Sequence, residues 1–256
     1  YRETYNYAIA ESTEPGSTFK LPVLMAAIED GVIDTGDIVD TGKGSVKFYN
    51  KIIRDTKEEG YGKLTVKQVF EKSSNVGTSM LITEHYKNNP KDFVNRLYAM
   101  KLDQQLDLQI QGEGKPLIRY PGDKYWSGLS LPMMSHGYEV QLTPLQILTF
   151  YNAVANDGKM MRPRFVKEIL KNGSVVKSFG TDVIINSIAS RSTIRKAKKM
   201  MEGVVEHGTA TNLRNANYKI AGKTGTAQIA RDKYGYRQGP RMLYQASFVG
   251  YFPAEN

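Results

Sequence analysis

Ser17 and Lys20 stand three residues apart in the stretch EPGSTFK, so on a helix their side chains share one face. A serine hydroxyl is a poor nucleophile until a neighbouring base takes its proton. Lysine serves as that base only when neutral, which requires desolvation or nearby positive charge to lower its pKa. The same spacing also fits an ordinary helix start, with Ser17 as N-cap and Lys20 on a wet face. The local pattern permits both.

Two further motifs bear on the choice, Ser73-x-Asn75 and Lys223-Thr224-Gly225. Average residue usage gives roughly one Ser-x-x-Lys and about one Ser-x-Asn by chance in a chain this long, and Lys-Thr-Gly in on the order of one chain in ten to twenty. Alone, Ser73-Ser74-Asn75 would serve as a turn between helices, and Lys223-Thr224-Gly225 as a strand end with a bulge at Gly225. The conjunction, in this order, favours catalysis. A second cation, Lys223, would help lower the pKa of Lys20, and a helix N-terminus favours negative charge developing near Ser17.

These residues need elements to hold them. LPVLMAAIED, closed by Gly31, reads as a buried helix beginning near Ser17, with Pro22 in its first turn, where a missing N–H costs least. LTVKQVFEKSSNVGTSMLITEHY carries apolar residues at helical spacing, with Thr65 as N-cap and a tight corner at Ser73-Ser74-Asn75. Leu108 to Ser127 is rich in Gly and Pro and reads as loop. Thr143-Pro144 opens a strongly apolar helix, LQILTFYNAVAN, closed by Gly158 and expected to be central and buried. A hairpin is expected around Asn172-Gly173 and an amphipathic helix over Ser192 to Glu206. Two β-like runs, YKIAGKTGTAQI and LYQASFVGYFP, finish the chain around a polar loop with Arg231, Asp232 and Gly235. This order predicts an α+β fold, an antiparallel sheet with packed helices plus an all-helical part.

Composition narrows the function classes. The chain has 256 residues, 40% hydrophobic and 24% charged, ordinary for a globular protein. No run approaches the roughly 18 apolar residues of a membrane span, and YRETYNYAIAES is no signal peptide. Without cysteine there are no disulfides, thiolate catalysis or cysteine metal sites. The formal net charge of +9 suits anionic partners, but the densest cluster, Arg195, Lys196, Lys198 and Lys199, alternates with apolar residues as the solvated side of a helix does. With no aromatic–basic stripe beside it, no nucleic-acid partner is expected. His85, His136 and His207 match no metal-ligand spacing, and no phosphate loop or paired-carboxylate motif occurs, so neither metal nor cofactor is expected.

In this order the three motifs are the signature set of penicillin-interacting serine enzymes. EPGSTFK, EKSSNVG, AGKTGTAQ and ASFVGYFP resemble the transpeptidase domain of class B penicillin-binding proteins, of the division or elongation type. LTPLQILTFYNAVANDG is similar to the helix those domains carry between the second and third motifs, so the resemblance runs over nearly the whole chain. It implies the penicillin-binding protein and serine β-lactamase-like fold, with a helical subdomain over approximately 31–140. Strands before EPGSTFK, and a strand and terminal helix after FVGYFPAEN, belong to the family pattern, so the domain is expected to be truncated at both ends.

For the site, the resemblance implies Ser17 as nucleophile and Lys20 as its base. Ser73 would relay a proton to the leaving amine, and Asn75 would hold the substrate amide and orient Lys20. Lys223, Thr224 and Thr226 would bind the substrate's terminal carboxylate, and Gly225 would let a peptide lie against the strand. The backbone N–H groups of Ser17 and Thr226 would form the oxyanion hole. The implied function is a serine D,D-transpeptidase that cross-links D-Ala-D-Ala stem peptides of peptidoglycan and is acylated by β-lactams. Implied partners are cell-wall synthesis or divisome proteins, on the extracytoplasmic face of the bacterial cytoplasmic membrane. A serine β-lactamase shares the motifs, and class D enzymes often carry Ser-Thr-Phe-Lys. Against it stand Asn75, where class D has an aliphatic residue, and the lack of a Glu-x-x-Leu-Asn pattern, Glu113 in QGEGKP lying outside that context. A β-lactam sensor domain, acylated without turnover, is the remaining alternative.

Overall fold

The computed structural model describes residues 5–215, 217–228 and 243–255. The expected polar loop with Arg231, Asp232 and Gly235 lies outside the described residues, as do the first four residues of YRETYNYAIAES.

Helix α1 (Tyr7–Ala10) is capped by Asn6 and precedes a 3-10 turn, Gly16–Phe19, that runs directly into α2 (Lys20–Glu29). Ser17 therefore sits inside a turn and not at its cap position. No side chain caps either α2 or the turn before it, which corrects the expected cap role of Ser17. The reason is local: Gly16 adopts φ +56°, a left-handed conformation open to glycine, and tightens the turn one residue earlier than an α-helix would start. Every residue of α2 from Lys20 to Ile28 is buried.

Strands β1 (Ile38–Asp40), β2 (Ser45–Phe48), β3 (Lys51–Arg54) and β4 (Lys63–Thr65) follow, with β1 paired to β4 and β2 to β3, both antiparallel. Helices α3 (Val66–Glu71) and α4 (Asn75–Tyr86) meet at the expected corner. Thr65 and Gln68 form a reciprocal capping box for α3, and Ser74 caps α4 by accepting from the Gly77 N–H. Between them Ser73 takes φ +57°, a region costly to a residue with a Cβ. Helix α5 (Pro90–Ala99), strand β5 (Leu117–Ile118), helix α6 (Ser130–Met134) and strand β6 (Val140–Gln141), paired with β5, come next.

Helix α7 (Pro144–Ala155) starts as expected at Thr143, again with a capping box, through Gln146. It is not buried all round: Leu148 is 49% exposed and borders an open apolar cavity of about 580 Å³, so the central buried helix is α2. Strands β7 (Met160–Met161), β8 (Glu168–Lys171), β9 (Ser174–Ser178) and β10 (Val183–Ile185) pair as β7 with β10 and as the predicted hairpin β8–β9. Helix α8 (Arg191–Glu206) buries Ile194, Ala197, Met200, Met201 and Val204 and turns Arg195 and Lys199 to solvent, as its amphipathic pattern requires. Last, β11 (Ala221–Gln228) and β12 (Tyr244–Tyr251) form an eight-residue antiparallel ladder in which Lys223 faces Val249 and Gly225 faces Ser247. Helices and small antiparallel sheets around one apolar core make the α+β class. Among the described residues no helix is long and apolar enough to cross a membrane.

The corner at Ser73 gives a direct test of backbone strain. Ser73→Gly and Ser73→Ala remove the same hydroxyl, but only alanine keeps a Cβ at positive φ. Urea unfolding should place the alanine variant about 1 kcal/mol below the glycine variant. Equal midpoints would show that the corner is not strained.

Candidate active site

All three sequence motifs meet around the Ser73 hydroxyl, which the buried amines of both Lys20 and Lys223 approach. Lys20 leaves the first turn of α2 with its side chain fully buried, and its Nζ lies 3.1 Å from Ser17 Oγ. The same nitrogen contacts the Ser73 carbonyl oxygen at 2.7 Å, Ser73 Oγ at 3.3 Å and Asn75 Oδ1 at 2.7 Å. Helix periodicity alone places Ser17 beside Lys20. The α3–α4 corner brings in Ser73 and Asn75, and Asn75 is fixed in turn by donating Nδ2–H to the Arg54 carbonyl at 3.0 Å.

Lys223 approaches from β11. Its Nζ donates to Ser73 Oγ at 2.8 Å and to the Thr224 carbonyl at 2.9 Å, and it lies 5.6 Å from the centre of the Phe70 ring. The hydroxyl of Ser73 thus sits between two lysine nitrogens. Burial strips both amines of water. It lowers the pKa of Lys20 to about 7, against the opposing pull of the Asp55 carboxylate. Burial, and then the positive charge of Lys20, hold Lys223 well below the ordinary lysine range. Near neutral pH Lys20 is therefore poised between its two protonation states, the condition a general base requires.

The backbone at the site is packed without slack. A Cβ on Gly16 would lie 2.9 Å from the Ala227 Cβ and 3.3 Å from the Thr226 carbonyl oxygen, so the turn carrying Ser17 abuts the Thr226–Ala227 segment of β11. A Cβ on Gly225 would overlap Ser247 Oγ and approach Thr18 Cγ2 at 2.9 Å, so the packing of β11 on Thr18 and Ser247 also demands glycine there. Tyr151 of α7 donates its hydroxyl proton to the Thr18 carbonyl at 2.8 Å and pins the same turn from behind. Thr224 and Thr226 alternate with Lys223 and Gly225 along the strand, Thr226 being exposed and Thr224 half-buried.

Three features escape the motifs. Asp55, just past β3, accepts from Ser74 Oγ at 3.0 and 2.9 Å and from the Val76 N–H at 3.0 Å, fixing the corner that carries Ser73. Gly137 accepts from the Gly16 N–H at 3.1 Å, and any Cβ on it would overlap the Gly16 carbonyl. Beside it His136 is buried, with Nδ1 2.8 Å from the Pro132 carbonyl and 3.2 Å from Ser79 Oγ. Burial, with help from the charge of Lys20, lowers its pKa to about 3, so it is neutral. Thr209, after α8, places Oγ1 2.5 Å from Thr224 Oγ1. None of the three belongs to a spacing pattern near its partner, so only tertiary structure reveals them. The Glu113 carboxylate accepts from the Leu106 and Leu108 N–H groups and clamps its own loop. His85 and His207 are exposed.

The penicillin-binding protein transpeptidase domain family model matches residues 1–256. The chain is 32% identical over 263 residues to penicillin-binding protein PbpB of Mycolicibacterium smegmatis, covering 100% of this chain and 39% of that protein. It is 29% identical over 252 residues to the peptidoglycan D,D-transpeptidase FtsI of Buchnera aphidicola, covering 98% of this chain and 41% of that one. The chain thus spans about two fifths of the length of these curated relatives. Penicillin-binding protein 3 of Mycobacterium tuberculosis, solved in complex with aztreonam, superposes with a TM-score of 0.82 at 29% identity, over 100% of this chain and 56% of that one. With the match running end to end through all three motifs, the chain belongs to the transpeptidase domain family of penicillin-binding proteins.

Proposed function

We propose that this domain is the catalytic module of a peptidoglycan D,D-transpeptidase and that Ser17 carries the acyl group. The observation that supports it best is the buried Lys20 amine, 3.1 Å from Ser17 Oγ, with its pKa lowered to about 7. Neutral Lys20 takes the Ser17 proton as Oγ attacks the carbonyl carbon of the penultimate D-Ala. The C–N bond to the terminal D-Ala then breaks, and its nitrogen receives a proton passed from Lys20 through the Ser73 hydroxyl. What remains is an ester on Ser17. The amine of a neighbouring stem peptide attacks that ester, the new amide forms, and Oγ regains its proton. Both steps develop an oxyanion, which the backbone N–H groups of Ser17 and Thr226 stabilise.

Lys223, Thr224 and Thr226 receive the terminal carboxylate, Asn75 holds the substrate amide, and Gly225 keeps the strand close to a bound peptide. A β-lactam offers a strained amide to the same serine, and its ring-opened ester persists. Residues 31–140, which hold α3 to α6 together with the short strands β1 to β5, form the mostly helical subdomain in this reading. The domain works on the extracytoplasmic face of the cytoplasmic membrane, alongside cell-wall synthesis or division proteins.

Incubation with a fluorescent penicillin, followed by intact mass, tests this reading. A stable one-to-one adduct that disappears in Ser17→Ala is expected. Rapid loss of the adduct with product turnover would instead identify a β-lactamase. A stem-peptide cross-linking assay separates an enzyme from a sensor.

The burial of Lys20 gives two signed pH dependences. The acylation rate should rise with pH through about 7, as Lys20 loses its proton, and then level off. A pH-independent rate between 5.5 and 8.5 would remove Lys20 as the base. Stability behaves differently. Between about 7 and the ordinary value of 10.5, unfolded Lys20 holds a proton that folded Lys20 does not. Lys20 therefore makes stability rise with pH across that window. Lys20→Met should abolish acylation yet raise the urea midpoint, by more at pH 6.5 than at pH 9.5. A lower midpoint at pH 6.5 would show that its hydrogen bonds outweigh its desolvation.

A further inference from the structure

Thr209 lies in the turn after α8, outside all three motifs, yet it touches the elements that carry two of them. Its backbone N–H donates to the Glu71 carbonyl at 3.1 Å, and Glu71 ends α3 two residues before Ser73. Two glycines permit that approach. A Cβ on Gly208 would overlap the Glu71 carbonyl, and one on Gly203 would overlap the Glu71 carboxylate. On its other side, Thr209 Oγ1 is 2.5 Å from Thr224 Oγ1 on β11. The Thr209 side of this pair is exposed, so the two hydroxyls border solvent on the strand face that Thr226 shares.

Two hydroxyls own two protons and share one hydrogen bond between them, so one O–H remains to be given away. The acceptor best served by such a remaining donor is an anion, because charge-assisted O–H···O⁻ bonds are the shorter and stronger kind. A solitary threonine hydroxyl rotates among several acceptors; either oxygen of this 2.5 Å pair can be the donor, and with Thr209 donating, the Thr224 O–H is the one turned outward. Lys223, one residue before Thr224, brings a buried amine to the same strand.

We infer that Thr209 is a positioning residue for the carboxylate of the substrate: through its hydroxyl it aims the Thr224 O–H at the anion, and through its backbone it ties the Ser73 corner to β11. This deepens the transpeptidase reading and rests on it.

The test uses benzylpenicillin and its methyl ester, which differ only in the anion. Acylation rate constants for both are read by intact mass on the wild-type protein, Thr209→Val, Thr209→Ser, Thr224→Val and the double valine variant. Thr209→Val is expected to shrink the acid-to-ester preference about tenfold, the size of one hydrogen bond to a charged group. Thr209→Ser, which keeps the hydroxyl, is expected to restore the preference. The double variant is expected to lose no more than Thr224→Val, because Thr209 acts through Thr224. A wild-type protein that takes up neither compound overturns the transpeptidase reading and this inference with it. A wild-type protein that is acylated, while Thr209→Val changes acid and ester alike or neither, overturns the role of Thr209 alone. Additive losses in the double variant overturn the route through Thr224. If Thr209→Val does not fold, Thr209→Ser still decides, since a preference lost with the hydroxyl present contradicts the inference.

Discussion

The site depends on keeping one amine out of water. A lysine in solvent is an ammonium ion at neutral pH and can take no proton. Lys20 is fully buried, and the cost of desolvating its charge brings its pKa down to about 7. Such burial is tolerable only because every direction around Nζ offers a polar partner. Ser17 Oγ, the Ser73 carbonyl and hydroxyl, and Asn75 Oδ1 fill those directions. The same contacts that make the buried amine affordable are the ones the proposed proton transfers run through.

Much of the scaffold follows from that requirement. The helix carrying Lys20 must itself be the most deeply buried, which is why α2 lies in the core while α7, more apolar in sequence, keeps one face at the edge. Ser73 must present both its carbonyl and its hydroxyl to Nζ. It does so from a left-handed conformation that an ordinary helix–helix connection would give to glycine. Two N-terminal devices hold the corner in place, the capping box of α3 on one side and Ser74 with Asp55 on the other. Lys223 then closes the pocket with a second buried amine, donating to Ser73 Oγ, and burial and the charge of Lys20 hold its own pKa well below the ordinary lysine range.

What could be read in the chain before folding was whatever is encoded within one turn or one strand. Ser17 with Lys20, Ser73 with Asn75, and Lys223 with its threonines are local spacings, and Thr65, Thr143 and Asn172-Gly173 mark element ends by local chemistry. Asp55, Gly137 and Thr209 were illegible for the complementary reason. Asp55 meets Ser74 across 19 positions of sequence, Gly137 meets Gly16 from the far side of five helices, and Thr209 meets Glu71 only after α8 has run its length. Ser17 shows the limit of local rules in the other direction. Its type and place fit a cap, but the glycine before it moves the turn and leaves the hydroxyl free for Lys20.

Asp55 shows how narrowly the balance is drawn. An acid bonded directly to Lys20 would hold the proton on the amine. The Asp55 carboxylate instead takes its hydrogen bonds from the Ser74 hydroxyl and the Val76 N–H, so what reaches Lys20 is its field and not its contact. That field raises the pKa of Lys20, burial lowers it by more, and the difference leaves the group near neutrality. One carboxylate thereby does two jobs that conflict at shorter range: it fixes the corner that holds Ser73, and it limits how far desolvation can depress the pKa of Lys20. Moving it closer would make a stronger ion pair and keep the proton on Lys20.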